Sequence, residues 1–128
     1  MTITVRIFQS INGLAGLVAL TLGLLDWIAH MSFVNVHMLF GILVTLSLLV
    51  LGILMLFSRE MRIWGIVGIV YAFIIPLFGL TQATILVGDF HWLIRIAHLL
   101  VGLGALALAG IMAQRYLRLK GQSRAAVQ

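Results

Sequence analysis

The stretches His30-Met-Ser-Phe-Val-Asn-Val-His37-Met-Leu-Phe-Gly41 and His91-Trp-Leu-Ile-Arg-Ile-Ala-His98-Leu-Leu-Val-Gly102 share one spacing. In each, a second histidine follows the first by seven positions, and a glycine follows four positions later. The two stretches contain all four histidines of the chain. An apolar helix accepts a buried imidazole only where something satisfies its nitrogen atoms. His37 and His98 are therefore candidate ligands of a bound cofactor.

The composition around these stretches is that of a membrane protein. Of the 128 residues, 63% are hydrophobic and 9% are charged, far from the average of soluble proteins. The net charge of +5 would suggest nucleic acid in a soluble protein, but here the basic residues flank apolar runs, so we expect no nucleic-acid partner. The absence of cysteine excludes disulfides, thiolate zinc sites, iron–sulfur clusters and cysteine-attached haem.

The chain contains four apolar runs, and the length of each run is near the ~20 residues that a helix needs to cross a lipid bilayer. They cover approximately residues 5–29, 36–57, 62–86 and 90–115. We expect helices, because a lipid-exposed backbone must satisfy its own hydrogen bonds. Short connections make successive helices antiparallel neighbours. The sequence thus predicts an all-α fold in one transmembrane domain, an integral membrane four-helix up-down-up-down bundle, followed by a cytoplasmic tail at 116–128.

Basic residues are distributed unevenly between the two ends of this predicted bundle. One end carries Arg6, Arg59, Arg62, Arg115, Arg118, Lys120 and Arg124. The other end carries Arg95, together with Asp26 and Asp89. The positive-inside rule then predicts a multi-pass protein of the cell's inner (plasma) membrane with both termini cytoplasmic. All four histidines fall toward the extracytoplasmic face.

The two halves of the chain share a second pattern besides the histidines. Ile11-Asn-Gly13-Leu-Ala-Gly16-Leu-Val18 in the first run is similar to Ile63-Trp-Gly65-Ile-Val-Gly68-Ile-Val70 in the third. This similarity favours an internal duplication of a two-helix unit, with a pseudo-two-fold axis along the membrane normal. The four glycines are expected to serve close helix packing.

The predicted cofactor site lies between His37 and His98. If the second and fourth helices are diagonal in the bundle, the two imidazoles face each other across its axis. A haem b requires one ring nitrogen on each side of its iron, which this arrangement supplies. Gly41 and Gly102 lie one turn from these histidines on the same helix face, where they leave room for a flat ring. Close packing of a neighbouring helix stays open as an alternative role for these glycines.

Three further polar residues are candidates for contacts to the cofactor. His91 lies about two turns before His98 on the same face, nearer the outer surface. Arg95 lies between these histidines and is expected to pair with a haem propionate, while His91 or His30 hydrogen-bonds the other. For Arg95, an interfacial cation paired with an aspartate stays open. For His30, a solvated loop position stays open.

The pairing of a histidine on helix two, His37, with one on helix four, His98, resembles the small membrane b-type cytochromes of the cytochrome b561-like kind. The resemblance is architectural and covers helix count, helix order and this pairing. It implies electron transfer with a membrane quinone or a redox protein and, if the chain is an enzyme, a membrane oxidoreductase. Candidates for a quinone contact are Thr81, Gln82 and Thr84. The family commonly holds two haems, but no histidine lies near the inner face of this chain, so one outer haem is expected.

Two other functions stay open. A copper site is the first, because methionines (Met31 and Met38) directly follow His30 and His37, and imidazole with thioether suits Cu(I). The second is a non-catalytic membrane subunit of a homo-oligomer or a larger complex, in which His37 and His98 hold haem or separate (bacterio)chlorophylls. Hydrolytic or group-transfer chemistry has no carboxylate pair, nucleophile with base, or phosphate loop to support it.

Overall fold

The structure, a computed structural model, describes the backbone of residues 1–125 and the side chains of residues 1–123. Over this range the chain is helical without strands, as the sequence predicts. The long helices are α1 (Thr2–Ala29), α2 (Val34–Leu56), α3 (Arg62–Thr81) and α4 (His91–Ala125). Short 3-10 turns follow α2 at Arg59–Met61 and α3 at Gln82–Thr84. Four helices are long and apolar enough to cross a membrane, which is compatible with a multi-pass membrane protein.

Two helix boundaries differ from those expected. The third helix ends at Thr81 rather than near Leu86, because the chain becomes extended at Ile85 and Leu86 has a left-handed φ of 48°. A left-handed residue cannot continue a right-handed helix. The fourth helix extends beyond Arg115 to Ala125, so the described part of the 116–128 segment is the end of this helix; residues 126–128 lie outside the described range.

The hydrophobic core lies in one half of the bundle. One buried cluster forms where the N-terminal parts of α1 and α3 meet the C-terminal parts of α2 and α4. Its members include Val5, Leu51, Met55, Met61, Met112 and Tyr116. Toward the end that carries the histidines, beyond Val44 and Ala72 near the middle of the bundle, Ile94 is the buried apolar side chain among the described residues. The helices therefore pack tightly in one half and less tightly in the half that contains the histidines.

Glycines permit the close contact of α2 with α3 in the packed half. A Cβ atom at Gly65 would lie 2.7 Å from the carbonyl oxygen of Gly52, and one at Gly52 would lie 3.0 Å from that of Gly65. Gly16 and Gly68 are likewise close to side chains of α4. The expectation of close packing at Gly13 is wrong, because nothing lies within 4 Å of the Cβ position there.

Two polar side chains, one buried and one half-buried, each form hydrogen bonds that link two helices. The Asn12 amide of α1 donates hydrogen bonds of 3.0 Å to the Val44 carbonyl and the Ser47 hydroxyl of α2. The Tyr71 hydroxyl of α3 donates one of 3.0 Å to the Val101 carbonyl of α4. These bonds fix α1 against α2 and α3 against α4, and so help to position the start of each histidine-bearing helix.

Candidate cofactor site

His37 and His98, which are far apart in sequence, are neighbours in the structure. His37 lies in the first turn of α2, and His98 lies about two turns into α4. These helices contact each other, while α1 and α3 each pack against both of them. The two imidazole centres are 5.9 Å apart, and the ring planes are inclined at 51°. Both side chains are half-buried.

Helix α1 orients the His37 ring. Nδ1 of His37 lies 2.9 Å from the backbone carbonyl oxygen of Ala19. A carbonyl only accepts hydrogen bonds, so this contact assigns the proton to Nδ1 and leaves a lone pair on Nε2. A Cβ atom at Gly23 would lie 3.3 Å from Cε1 of His37, so the ring rests against this glycine. Histidines that bind metals commonly donate their other ring N–H to a carbonyl in this way.

Helix α3 provides the surface against which His98 packs. The His98 ring stacks on Phe78, with ring centres 6.0 Å apart and planes inclined at 15°. A Cβ atom at Gly79 would lie 3.6 Å from Cε1 of His98. Nδ1 of His98 is buried and has no hydrogen-bond partner among the described residues. An unpaired buried polar atom costs about 1–3 kcal/mol, so the fold favours an additional partner for this imidazole.

Sequence reasoning missed the residues that support the two rings: Ala19, Gly23, Phe78 and Gly79. In each half of the chain, the histidine of the second helix packs against a glycine of the preceding helix. The two glycines stand at different distances from their histidines along the chain. No fixed spacing could have identified them.

A cavity of about 710 Å³ surrounds the two imidazoles, within the roughly 300–1,000 Å³ of typical ligand pockets. All four helices line it, mostly with apolar side chains. Among the predicted site residues, the lining includes His37, Gly41, His91, Arg95, His98 and Gly102. Nothing lies within 4 Å of a Cβ position at Gly41 or Gly102, so neither glycine serves close packing of a neighbouring helix. Both positions leave space on the wall of the cavity.

The chain matches no family model, no curated protein and no solved structure. Because one fold can serve unrelated functions, the function depends on the chemistry of the site. The site consists of an oriented imidazole, a second imidazole with an unpaired nitrogen, and an apolar cavity around both.

His91 and Arg95 form the polar rim of the cavity. Both also line a neighbouring pocket of about 440 Å³, together with Asp89 and Trp92. Nδ1 of His91 lies 3.3 Å from the carbonyl oxygen of Ile85, in the loop that precedes α4. The exposed guanidinium of Arg95 can therefore donate hydrogen bonds to an acidic group at the cavity mouth. The half-buried His91 ring, whose Nδ1–H faces the Ile85 carbonyl, donates to such a group through Nε2 only as the doubly protonated imidazolium.

Three residues predicted to contact a cofactor or quinone lie elsewhere. His30 is exposed and directly follows α1, with a left-handed φ of 54°. It is not among the residues that line the cavity. The hydroxyls of Thr81 and Thr84 donate to backbone carbonyls of their own segment, at 2.7 Å and 2.8 Å. Gln82 does line the cavity. Of the three candidates for a quinone contact, Gln82 is thus the one at the site.

Few metal ligands other than the two imidazoles lie in this region. Within the described side chains, no group of three or more His, Cys, Asp or Glu residues lies close enough together to hold a metal ion. Met38 lines the cavity, whereas Met31 is exposed and does not. A copper site here would have His37, His98 and one thioether as its nearby ligands.

Proposed function

We propose that this protein binds one haem b in its histidine-bearing half, where His37 and His98 would be the two ligands of the iron. The main support for this proposal is the distance of 5.9 Å between the ring centres of His37 and His98 inside the cavity. Two imidazoles on opposite sides of one iron have centres about 6 Å apart, since each Fe–N bond is about 2 Å and each ring centre lies about 1 Å beyond its nitrogen.

The chain's own residues have distinct tasks in this proposal. The Ala19 carbonyl holds the proton of His37 on Nδ1 and so presents Nε2 as the ligand atom. Gly41 and Gly102 leave open space at the cavity wall, and most of the cavity lining is apolar. Arg95 and His91 at the rim bind the acidic side groups. A bound haem would supply reversible one-electron transfer, whose potential depends on the axial ligands and on burial.

We also infer an arrangement of the chain in the membrane. The four helices run up-down-up-down with both termini cytoplasmic, because most of the basic residues are in the terminal segments and in the turn between α2 and α3. The histidine-bearing half then faces the extracytoplasmic side of the inner membrane. Electrons are exchanged there with a quinone or a redox protein, and Gln82 is the candidate quinone contact. The histidine–glycine contact that recurs in both halves supports an origin by duplication of a two-helix unit.

The direct test of haem binding is a reduced-minus-oxidised absorption spectrum, with iron and copper analysis, of protein purified from membranes. We expect about one b-type haem per chain and no stoichiometric copper. The Met38→Leu variant should have the same spectrum and iron content as the unchanged protein, because the thioether is not a ligand of this haem. Colourless protein with stoichiometric copper, or a spectrum lost in Met38→Leu, would refute the proposal in favour of the copper site.

The space beside the histidines can be tested without changing either ligand. Gly41→Trp should place an indole in the cavity and lower haem occupancy by at least about tenfold, while the helices stay packed because no protein atom lies within 4 Å of this Cβ position. Gly110→Trp is the matched control, since Gly110 also has nothing within 4 Å and does not line the cavity. The measurements are haem per protein and thermal unfolding. Equal haem content in the two variants would show that the ligand lies elsewhere.

A further inference from the structure

A second feature, at the end of the bundle away from the histidines, is a set of exposed cationic side chains on adjacent helices. Arg59 lies in the 3-10 turn before α3, and Arg62 is the first residue of α3. Arg115 and Arg118 lie near the end of α4. All four side chains are exposed. The nearest acidic residue in sequence is Glu60. The set therefore carries a clear excess of positive charge.

A cation–π contact joins the two parts of this set. The guanidinium carbon of Arg115 lies 4.6 Å from the centre of the Trp64 ring. Since Trp64 follows Arg62 by two residues, the contact brings the start of α3 beside the basic stretch of α4. Arg118 is three residues after Arg115 and so shares its helix face. Stacking on an aromatic ring leaves the edge of a guanidinium free to donate hydrogen bonds.

We propose that these residues, Arg59, Arg62, Arg115 and Arg118, bind the phosphate headgroup of an anionic phospholipid, with Trp64 beside the upper part of its acyl chains. Guanidinium groups bind phosphate oxygens in a bidentate manner. The site lies at the ends of apolar helices long enough to cross a membrane, which is the level of the headgroups. A zwitterionic headgroup carries its own ammonium group, which opposes binding to a cationic cluster. The site is independent of the haem proposal, because it lies in the opposite half of the bundle.

The test compares lipid binding in delipidated protein that is kept in detergent micelles. Native mass spectrometry would count bound dioleoylphosphatidylglycerol and dioleoylphosphatidylcholine at equal concentrations. We expect preferential binding of phosphatidylglycerol, and a loss of about tenfold or more in its affinity in the Arg62→Gln/Arg115→Gln variant. Arg95→Gln, which removes one cation at the other end, should bind phosphatidylglycerol like the unchanged protein.

The bidentate geometry of the site can be separated from simple attraction between opposite charges. Arg115→Lys keeps the charge but loses the bidentate donor, so an intermediate affinity is expected. Circular dichroism of each variant should be unchanged, because the substituted side chains are exposed. Three outcomes would each overturn the proposal. The first is equal binding of the two lipids, and the second is an equal loss of phosphatidylglycerol affinity in Arg95→Gln and in the double variant. The third is full displacement of the lipid by an excess of inorganic phosphate.

Discussion

Replacing His98 with alanine is expected to remove the haem spectrum from the purified protein, and His37→Ala should have the same effect. One haem shared by two axial imidazoles is weakened by the loss of either. Loss of an outer-shell partner typically lowers metal affinity about 10–100-fold, so loss of a ligand should lower it at least as much. The two ring centres are 5.9 Å apart, which is close enough for both imidazoles to contact the one proposed haem. Haem content and the reduced-minus-oxidised spectrum are the measurements.

Matched histidine variants provide the control for this experiment. His30→Ala should retain a full spectrum, because His30 is exposed and does not line the cavity. His91→Ala should also retain the haem, with at most a shifted potential, since this residue contributes at the rim. Added imidazole should partly restore the spectrum of His98→Gly by replacing the missing ring. Two pigments lost one at a time, in His37→Ala and His98→Ala, would favour the pigment-holding subunit instead; an unchanged spectrum in both would exclude axial ligation by these residues.

Gly65→Ala is expected to lower the free energy of unfolding by about 1–3 kcal/mol. The new Cβ atom would lie 2.7 Å from the carbonyl oxygen of Gly52 and 3.0 Å from the backbone nitrogen of Leu56. The Leu56 side chain, whose Cδ2 would lie 2.9 Å away, can rotate, but the other two atoms belong to backbone. No side-chain rotation relieves those two contacts, and α3 must move away from α2. Reversible unfolding in mixed micelles, followed by circular dichroism, measures the change in free energy.

The matched control for Gly65 is the glycine at the corresponding position of the first helix. Gly13→Ala adds the same methyl group where nothing lies within 4 Å. Alanine favours a helix over glycine by about 0.8–1.0 kcal/mol in water, so this variant should be neutral or slightly more stable. Equal destabilisation of Gly13→Ala and Gly65→Ala would contradict the role assigned to the close approach of α2 and α3.

The sequence predicts the helices well because their cause is local. Long apolar runs leave the backbone no alternative to a helix in lipid. The end of α3 is not predicted because Leu86 is an ordinary helix-forming residue, and its left-handed φ depends on the loop as a whole. Gly88, with a φ of 111°, and Asp89 are the residues there whose types suggest a turn.

The site is predicted in part for a similar reason. Repeated spacing identifies His37 and His98, since both halves place a histidine and a glycine on one helix face. The same spacing misplaces His30, because α1 ends before that residue and α2 begins after it. Gly23 and Gly79 support the two imidazole rings through contacts between helices. These contacts depend on how one helix is rotated against the next, and residue spacing within a single helix does not determine that rotation.

The unequal packing of the two halves has a consequence for biogenesis. The contacts at Gly52 and Gly65 and the buried cluster around Met55 and Tyr116 form without any contribution from the cavity. The packed half can thus assemble before the proposed haem binds. Binding of the proposed haem would then involve the parts of the four helices that line the cavity rather than the packed half of the bundle.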